Sequence, residues 1–382
     1  MDIKNRNLFR INRIFFLRLP WLFRFFSKFR KPQKRLLIIK TDAIGDYVLF
    51  RNFIEAVKTS ALYNNHKVDL LGNVLWQDLA VNYDAAFVDE FIFLKANDYY
   101  NSPLETLKLA WRLFKKNYSV VLQPTYSRTL INDSFAALTG SRQIIGFEGD
   151  SVSIPTRYKN KTDKFYKERL ILPQSIRFEF DRSKFFFESV LGEVISIKIL
   201  SIPTEKNANN GIVIFPGAGI FKRSWQKERF LALIKRIKQH TDAQIYLAGG
   251  HGDVGTGNFI EENLPEQGIN NLIGKTSLPQ LIDLIGGAAL VIANETSAVH
   301  IAVATKTPSV CILGGGHFER FAPYPAYFET GPVCVYQKME CFYCNWNCIY
   351  LTTETEPYPC IEKVSFENVW QAILPLIQQY GN

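Results

Sequence analysis

Short apolar runs alternate with stretches of helical periodicity along most of the chain. In the first half, the predicted strands cover residues 36–40, 68–71, 91–94, 120–122 and 144–147. The segments between them, such as 47–59 and 103–114, place apolar residues three or four positions apart, as one face of a helix does. Strands that alternate with helices predict a parallel sheet covered by helices on both sides. This half is therefore expected to form a doubly wound α/β domain.

The same alternation starts again after a polar stretch. Strands are predicted at 211–215, 243–247, 272–273, 290–293 and 309–313, and a final helix at 365–379. Residues 148–175 are polar and irregular, which favours a long loop that could cover a site. The expected organisation is an arm at 1–34, a first domain at 35–202, a linker at 203–210, a second domain at 211–364 with a cysteine-rich loop at 341–360, and a closing segment at 365–382. Two such domains imply a cleft between them.

The positive charge of the protein is concentrated at its amino terminus. The net charge is +9, yet residues 1–35 hold eleven Lys and Arg against one acid, and the rest has 34 basic and 35 acidic residues. A nucleic-acid footprint over the whole protein is therefore excluded. Within residues 6–31, arginines and lysines alternate with aromatic and aliphatic residues, and Pro20 is expected to divide any helix. The segment predicts docking on an anionic membrane surface, or else a helix packed on the protein's own surface.

Targeting signals and cysteine usage favour the cytoplasmic side of a membrane. No apolar run approaches the roughly 20 residues of a spanning helix, and no cleavable signal is visible. The six cysteines are too few for a disulfide scaffold of this length, which favours a reducing compartment. Four of them crowd together as Cys341, Cys344, Cys348 and Cys360. Their spacing leaves two interpretations, a zinc site or four buried thiols in an irregular loop.

Polar residues follow the predicted strand at 290–293. The turn contains Asn294, Glu295, Thr296 and Ser297, and the helix that follows is expected to end at Pro308. Thr296 or Ser297 can cap this helix, whose amino terminus would attract an anion such as a phosphate. His300 lies one helical turn after Thr296 and could donate to the same phosphate. The alternative is an ordinary capped turn with a buried histidine.

Two more strand exits carry candidate ligand-binding residues. Pro216, Gly217, Ala218 and Gly219 precede the cations Lys222 and Arg223, which suits a diphosphate, although a solvated basic loop is the alternative. The pattern Gly250-x-Gly252-x-x-Gly255 matches a dinucleotide fingerprint, but no acid ends the next strand. A nicotinamide oxidoreductase is therefore disfavoured, and Asp253 remains a candidate for binding hydroxyl groups.

The first predicted strand ends in a loop with two acids. In the stretch Thr41-Asp42-Ala43-Ile44-Gly45-Asp46, Asp46 stands at the start of the next helix. Gly45 permits a close backbone approach beside Asp46, and the alternative is that Asp46 simply caps the helix.

Taken together, these motifs resemble those of glycosyltransferase family 9, the lipopolysaccharide heptosyltransferases. In the first half of the chain the resemblance rests on the stretch from Ile39 to Asp46. In the second half it rests on Pro216-Gly217-Ala218 with Trp225, Glu228 and Phe230, on residues 274–278 and 294–300, and on Lys306-Thr307-Pro308. The cysteine-rich tail with Val364, Glu367 and Val369 completes the set. The ordered set extends over residues 36–380. Glu295 stands where the family has aspartate, Ser297 where it has glycine, and Arg223 where it has lysine.

The resemblance implies a GT-B fold and an inverting sugar transfer that needs no metal or other cofactor. It assigns the general base to Asp46 and acceptor binding to the loop that contains Thr41, Asp42 and Gly45. The donor, for which the resemblance suggests ADP-heptose, would be bound by the following residues: Pro216, Gly217, Ala218, Lys222, Arg223, Asp253, Glu295, Thr296, Ser297 and His300. The acceptor would be a lipid-linked glycan at the inner face of the cytoplasmic membrane. A non-catalytic protein of the same fold that binds glycans or nucleotides is the alternative.

Overall fold

The computed structural model describes residues 3–197, 199–204, 209–264 and 268–378. The chain separates into two compact units, Met1–Ile197 and Lys198–Asn382. The predicted linker at 203–210 lies partly outside the described residues. Each unit is built around its own six-stranded sheet.

The first unit is a doubly wound parallel sheet with the strand order β3-β2-β1-β4-β5-β6. Its strands are β1 (Gln33–Ile39), β2 (Lys67–Asn73), β3 (Glu90–Leu94), β4 (Tyr118–Gln123), β5 (Ile144–Phe147) and β6 (Glu168–Leu170). In β1, Leu36 pairs with Val68 of β2 on one side and with Val120 of β4 on the other. The chain reverses its winding direction at β1, so the residues that follow β1 lie at the switch point where ligands bind in such sheets.

Nine α-helices are described in this unit. They are α1 (Arg6–Leu17), α2 (Leu19–Phe26), α3 (Ile44–Phe50), α4 (Asn52–Thr59), α5 (Gln77–Asp84), α6 (Pro103–Lys116), α7 (Leu130–Leu138), α8 (Thr156–Thr162) and α9 (Glu179–Leu191). The helix expected at 47–59 is divided at Arg51 into α3 and α4. The long loop expected at 148–175 is wrong, since α8 and β6 lie within it. Their polar residues conceal inward-facing positions such as Tyr158 and Thr162, which are buried.

The basic aromatic segment at the amino terminus is part of the first unit. Pro20 divides it as expected, because α1 ends at Leu17 and α2 begins at Leu19. Phe9, Phe16 and Phe23 enter the core that also contains α6 and α7. The segment is therefore not a separate arm. Its opposite face exposes Ile14, Trp21, Leu22, Phe25, Phe26 and Phe29, each at about half or more of its surface.

The second unit repeats the architecture with the parallel strand order β12-β11-β10-β7-β8-β9. Its strands are β7 (Ile212–Phe215), β8 (Ile245–Leu247), β9 (Ile269–Asn271), β10 (Leu290–Asn294), β11 (Ser309–Ile312) and β12 (Val333–Val335). Its helices are α10 (Lys227–Lys238), α11 (Val254–Glu262), α12 (Leu278–Gly286), α13 (Ser297–Thr305), α14 (Pro359–Glu362) and α15 (Phe366–Gln378). The strand expected at 272–273 lies three residues earlier, and β12 has no counterpart in the predictions. No described helix is both long and apolar enough to cross a bilayer.

Candidate functional site

Asn294, the last residue of β10, joins two strand exits of the second unit. Its side chain is fully buried, and its Oδ1 accepts a hydrogen bond from the Trp225 backbone N–H at 3.0 Å. Its Nδ2 donates to the carbonyl oxygens of Pro216 at 2.7 Å and Gly217 at 3.2 Å. The central strands β7 and β10 are neighbours in the sheet. One amide therefore holds the loop after β7 beside the turn after β10.

Glu295 follows in that turn and has an unusual environment. It is 9% exposed, and neither carboxylate oxygen finds a hydrogen-bond partner among the described residues. Burial raises the pKa of Glu295 to about 7, and the positive charge of Arg223 partly opposes this shift. A buried carboxylate without hydrogen bonds is costly, so such a group usually serves a ligand.

Thr296 occupies the N-cap position of α13 without capping it. Its Oγ1 is buried and makes no hydrogen bond within the described residues. The expectation that Thr296 caps the helix through its side chain is therefore wrong, and no such bond is made by Ser297, which is the first helical residue. The helix leaves its first N–H groups at the β10 exit, where they favour a negatively charged group.

Arg223 and Lys222 point to different neighbours. The guanidinium of Arg223 lies 4.4 Å from the ring centroid of Trp346, and its Nε is buried and unpartnered among the described residues. Lys222 Nζ lies 3.4 Å from the carboxylate of Glu354. Since the charge of Arg223 acts on Glu295, Arg223 is the cation that shares the environment of the β10 turn.

Asp253 meets the loop after β7 at a glycine. A side-chain carbon added to Gly217 would lie 2.1 Å from the Asp253 carboxylate, so only glycine permits this approach. The carboxylate accepts a hydrogen bond from the Gly250 N–H at 3.0 Å. Burial raises the pKa of Asp253, and that hydrogen bond partly offsets the shift. The structure thus brings Pro216, Gly217 and Asp253 together. Ala218, in the same loop, is buried.

His300 is buried one turn inside α13. Its Nδ1 lies 2.6 Å from the hydroxyl oxygen of Tyr324. Burial lowers the pKa of His300 to about 4, so the imidazole is neutral near pH 7. A neutral ring can donate one hydrogen bond, but it adds no positive charge for a phosphate.

The cysteine-rich loop contributes an aromatic residue that sequence reasoning missed. Trp346 packs on Gly314 and Gly316, where an added side-chain carbon would meet its ring at 2.6 Å and 2.2 Å. Its indole Nε1 is buried without a described partner. The signal available in the sequence was the run of three glycines directly after β11.

The four clustered cysteines influence one another electrostatically. Burial raises the pKa of Cys360, and Cys341, Cys344 and Cys348 raise it further. All four thiols are free. Among the described residues, no group of three or more His, Cys, Asp or Glu side chains is arranged to hold a metal ion.

In the first unit, the loop after β1 is held from three sides. Thr41 Oγ1 donates to Asn132 at 2.5 Å, and Asp42 Oδ2 accepts from Thr125 at 2.9 Å. The Trp76 indole donates to the Asp42 carbonyl oxygen at 3.0 Å. Thr41 and Asp42 thus have partners inside the unit, and they fix the backbone that leads through Gly45 to Asp46.

Asp46 lies in the first turn of α3, whose N-cap is Ala43. The interpretation of Asp46 as an N-cap is therefore wrong. Lys40 is fully buried nearby and lies 2.9 Å from Asp42. Burial alone lowers the pKa of Lys40, but Asp42, Glu179 and Asp46 outweigh it and raise the pKa. Asp46 thus lies close enough to Lys40 for the two charges to interact.

Comparison with known proteins agrees with these motifs. Residues 189–344 match the model of glycosyltransferase family 9 (heptosyltransferase). The chain is 28% identical over 129 residues to lipopolysaccharide heptosyltransferase 3 of Escherichia coli (strain K12), a match that covers 34% of this chain and 38% of that protein. It is 21% identical over 303 residues to lipopolysaccharide heptosyltransferase 1 of Campylobacter coli, covering 73% and 84% of the two proteins.

A solved structure supports the fold over almost the whole chain. The E. coli ADP-heptose lipopolysaccharide heptosyltransferase II superposes with a TM-score of 0.65 at 16% identity, covering 91% of this chain and 100% of that one. The two six-stranded parallel sheets and this likeness identify the fold as GT-B. The motifs, the family match and the curated relatives agree: residues 189–344 match glycosyltransferase family 9 (heptosyltransferase), and the chain is similar to lipopolysaccharide heptosyltransferases.

Proposed function

We propose that the protein is an inverting glycosyltransferase of lipopolysaccharide biosynthesis, which transfers a sugar from a nucleotide-sugar to a lipid-linked glycan. ADP-heptose is the proposed donor, because ADP-heptose is named for the structurally similar E. coli enzyme. In this proposal the second unit binds the donor and the first unit activates the acceptor.

One observation carries the proposal. Buried polar atoms without described partners gather at the β10 exit, namely both carboxylate oxygens of Glu295, Thr296 Oγ1, Arg223 Nε and Trp346 Nε1. Buried polar groups in proteins are nearly always hydrogen-bonded, so a cluster of exceptions marks a ligand site. The cluster offers both acceptors and donors, which matches the hydroxyl groups and the diphosphate of a nucleotide-sugar.

Each group in the cluster has a proposed role. Arg223 and the amino terminus of α13 bind the diphosphate, since both favour negative charge. Glu295 accepts hydrogen bonds from sugar hydroxyls, because a carboxylate beside the diphosphate itself would be repelled. Trp346 holds the Arg223 guanidinium through the 4.4 Å contact. Asp253, next to Gly217, accepts from a further hydroxyl group of the donor.

The proposed reaction begins with Asp46 as the general base. Its carboxylate removes the proton of the acceptor hydroxyl, whose oxygen attacks the anomeric carbon from the side opposite the diphosphate. The bond between that carbon and the diphosphate oxygen breaks, and its electron pair remains on the nucleoside diphosphate. Arg223 and the helix amino terminus stabilise the charge that develops there. The configuration at the anomeric carbon is inverted, and no metal is needed for this charge neutralisation.

The acceptor is proposed to lie on the cytoplasmic face of the inner membrane. The exposed face of α1 and α2 combines aromatic residues with Arg10, Arg13 and Arg18, as segments that bind anionic bilayers do. Residues 6–31 would thus contribute to docking while their other face remains in the core of the first unit.

Purified protein tests this function directly. ADP-, GDP- and UDP-sugars are titrated calorimetrically, and transfer to a deacylated lipopolysaccharide core is followed by mass spectrometry with excess EDTA present. We expect ADP-heptose to bind, and the product to carry one additional heptose. Donor binding without turnover on any acceptor would favour the non-catalytic alternative, and retention of the anomeric configuration would contradict the inverting mechanism.

Docking of the α1 and α2 face on an anionic membrane is tested separately. Phe25→Ser/Phe29→Ser should weaken binding to phosphatidylglycerol vesicles, because both rings are more than half exposed. The matched control is Leu104→Ser/Ile171→Ser, which removes two exposed apolar residues outside α1 and α2. Equal binding by both variants would refute docking through this face.

A further inference from the structure

A basic depression of about 590 Å³ lies on the first unit, outside the proposed donor and acceptor sites and next to the proposed docking face. It opens between α1, the start of α2, and the stretch formed by α8 and the residues that follow it up to Lys164. Its lining is Arg13, Ile14, Leu17, Arg18, Trp21, Arg157, Tyr158, Lys161 and Lys164. Five of these nine residues are cationic, and none is acidic.

Among the described residues, the five cations of the depression are not paired with carboxylates, whereas a neighbouring lysine is. Arg13, Arg18, Arg157, Lys161 and Lys164 are exposed and form no ion pair within the described ranges. In contrast, Lys159 on α8 pairs with Glu148 at 3.1 Å and Asp163 at 3.2 Å. Like charges held together repel one another, so an anion in the depression would relieve an existing repulsion.

The side of the depression formed by α8 is held in place by contacts with the interior of the unit. Thr162 Oγ1 donates to Asp133 at 2.6 Å, and Asp163 pairs with the buried Arg128. Tyr158 is buried, and its ring meets the edge of Phe9 with 6.4 Å between centroids. Because positions 158 and 162 face inward, the cations at 157 and 161 are presented outward by helical geometry.

The side of the depression formed by α2 contacts the residues that follow α8. The rings of Trp21 and Phe165 lie 4.9 Å apart, and Arg24 Nη1 donates to the Phe165 carbonyl oxygen at 3.3 Å. Both sides therefore have defined positions before any ligand arrives, which reduces the entropy lost on binding.

The residues around the depression indicate which kind of anion binds there. Next to the depression, α1 and α2 expose Ile11, Ile14, Trp21, Leu22, Phe25 and Phe26, each between 44% and 56%. A cationic depression beside a large apolar surface fits a bilayer interface, where apolar side chains enter the acyl region and cations meet headgroups. A free anion would need no such apolar border. Arginine is suited to phosphate, because its planar fork can donate two parallel hydrogen bonds.

We infer that this depression binds the phosphate headgroup of an anionic phospholipid and thereby fixes how the first unit is oriented on the bilayer. The inference rests on the proposed membrane docking and extends it to a defined lipid-binding site. Arg157, Lys161 and Lys164 lie far from residues 6–31 in the sequence, so docking through this site depends on the folded unit and not on the amino-terminal segment alone.

The test uses full-length protein and vesicle sedimentation. Phosphatidylcholine vesicles contain phosphatidic acid in one arm and oleate in another, adjusted to the same zeta potential. Lys161→Gln/Lys164→Gln is compared with Lys67→Gln/Lys95→Gln, which removes the same charge from exposed lysines of the same unit outside the depression. Thermal melting verifies that both variants are folded.

We expect the wild type to prefer phosphatidic acid over oleate. The Lys161/Lys164 variant should lose about 30-fold in affinity for phosphatidic acid vesicles, as two basic residues at an anionic surface contribute. The control pair should lose less than about threefold, because its residues do not line the depression.

Any one of the following results would overturn the inference. They are equal losses by the two variants, equal binding to phosphate and carboxylate vesicles, and equally tight binding of glycerol 3-phosphate or single-stranded RNA in solution. A wild type that binds no vesicle at all would instead refute the docking proposal itself. A wild type that binds while Lys161→Gln/Lys164→Gln is unaffected would refute this site alone.

Discussion

The Asn294 carboxamide accepts the backbone N–H of Trp225 at 3.0 Å, although 69 residues separate them in the sequence. The same side chain donates to Pro216 and Gly217. Trp225 is itself anchored, because its indole donates to the Val364 carbonyl oxygen at 2.9 Å. The loop that carries Arg223 is therefore held on one side by the β10 exit and on the other by the segment before α15.

Replacement of Asn294 should destabilise the second unit. Asn294→Ala leaves the buried Trp225 N–H and the carbonyl oxygens of Pro216 and Gly217 without this partner, and we expect a loss of about 3 kcal/mol in the free energy of unfolding. Urea denaturation measures it. Asn263→Ala is the control, since Asn263 is exposed and bonds only within its own helix end, to Phe259 at 2.8 Å. A similar loss in both variants would contradict the anchoring role.

Donor affinity should depend on pH through Glu295. The pKa of this carboxyl is raised to about 7 in the free protein, mainly by burial. Hydrogen bonds from donor hydroxyls favour the carboxylate, so binding releases a proton and affinity for ADP-heptose rises as pH increases from 6 to 8. Calorimetry in buffers of different ionisation enthalpy measures both effects. In Glu295→Gln the pH dependence should vanish, and its persistence would refute this role.

The same carboxyl affects stability in the opposite direction. Its folded pKa lies above the ordinary value of 4.5, so folding favours the protonated form. The folded state therefore loses stability as pH rises from about 4.5 to about 7, and the full penalty applies above that range. Comparison of urea midpoints at pH 5 and pH 8 should show a smaller decrease in Glu295→Gln than in the wild type.

Asp46 is expected to be essential for turnover and not for donor binding. Asp46→Asn should lower kcat by about 100-fold to 10,000-fold, as loss of a general base does, while the affinity for ADP-heptose stays unchanged. Asp78→Asn is the matched control, because Asp78 is also an acid in the first turn of a helix in this unit. Full turnover by Asp46→Asn would remove the base assignment.

The two neighbouring cations should differ in their effect on the diphosphate. Arg223→Met is expected to lower kcat/KM by about 100-fold or more, because a charge-assisted contact to the leaving group is lost. Lys222→Met should cost only a few-fold, since Lys222 pairs with an exposed carboxylate, that of Glu354. Steady-state kinetics and the Kd for ADP distinguish them, and the reverse order would assign the role to Lys222.

The amino-terminal helices should contribute to the stability of the first unit. Phe16 is fully buried and meets the Phe135 ring edge-on at 6.3 Å, so Phe16→Ala should lower the free energy of unfolding by about 3–5 kcal/mol. Phe26→Ala, on the face that is 49% exposed, should change it by less than about 1 kcal/mol. Equal effects would place Phe16 outside the core.

Periodicity alone predicted most of the two sheets, because buried parallel strands are continuous apolar runs. It failed where that signal is absent. The strand β6 and helix α8 lie in a polar stretch, and the buried Thr162 of α8 donates its hydroxyl to Asp133, which comes from a distant segment. The motif at 294–300 predicted a donor site, but it could not show that the Thr296 side chain does not cap its helix.

The sequence by itself determined the alternation of strands and helices, the family motifs and the concentration of positive charge before residue 36. These are local features, fixed by neighbouring side chains. The tertiary structure decided that Phe9, Phe16 and Phe23 belong to a core, that Asp42 pairs with Lys40, and that Arg223 rather than Lys222 shares the surroundings of Glu295. Such partners are distant in the chain, and only packing establishes which face of a helix meets protein and which remains open to a ligand or a membrane.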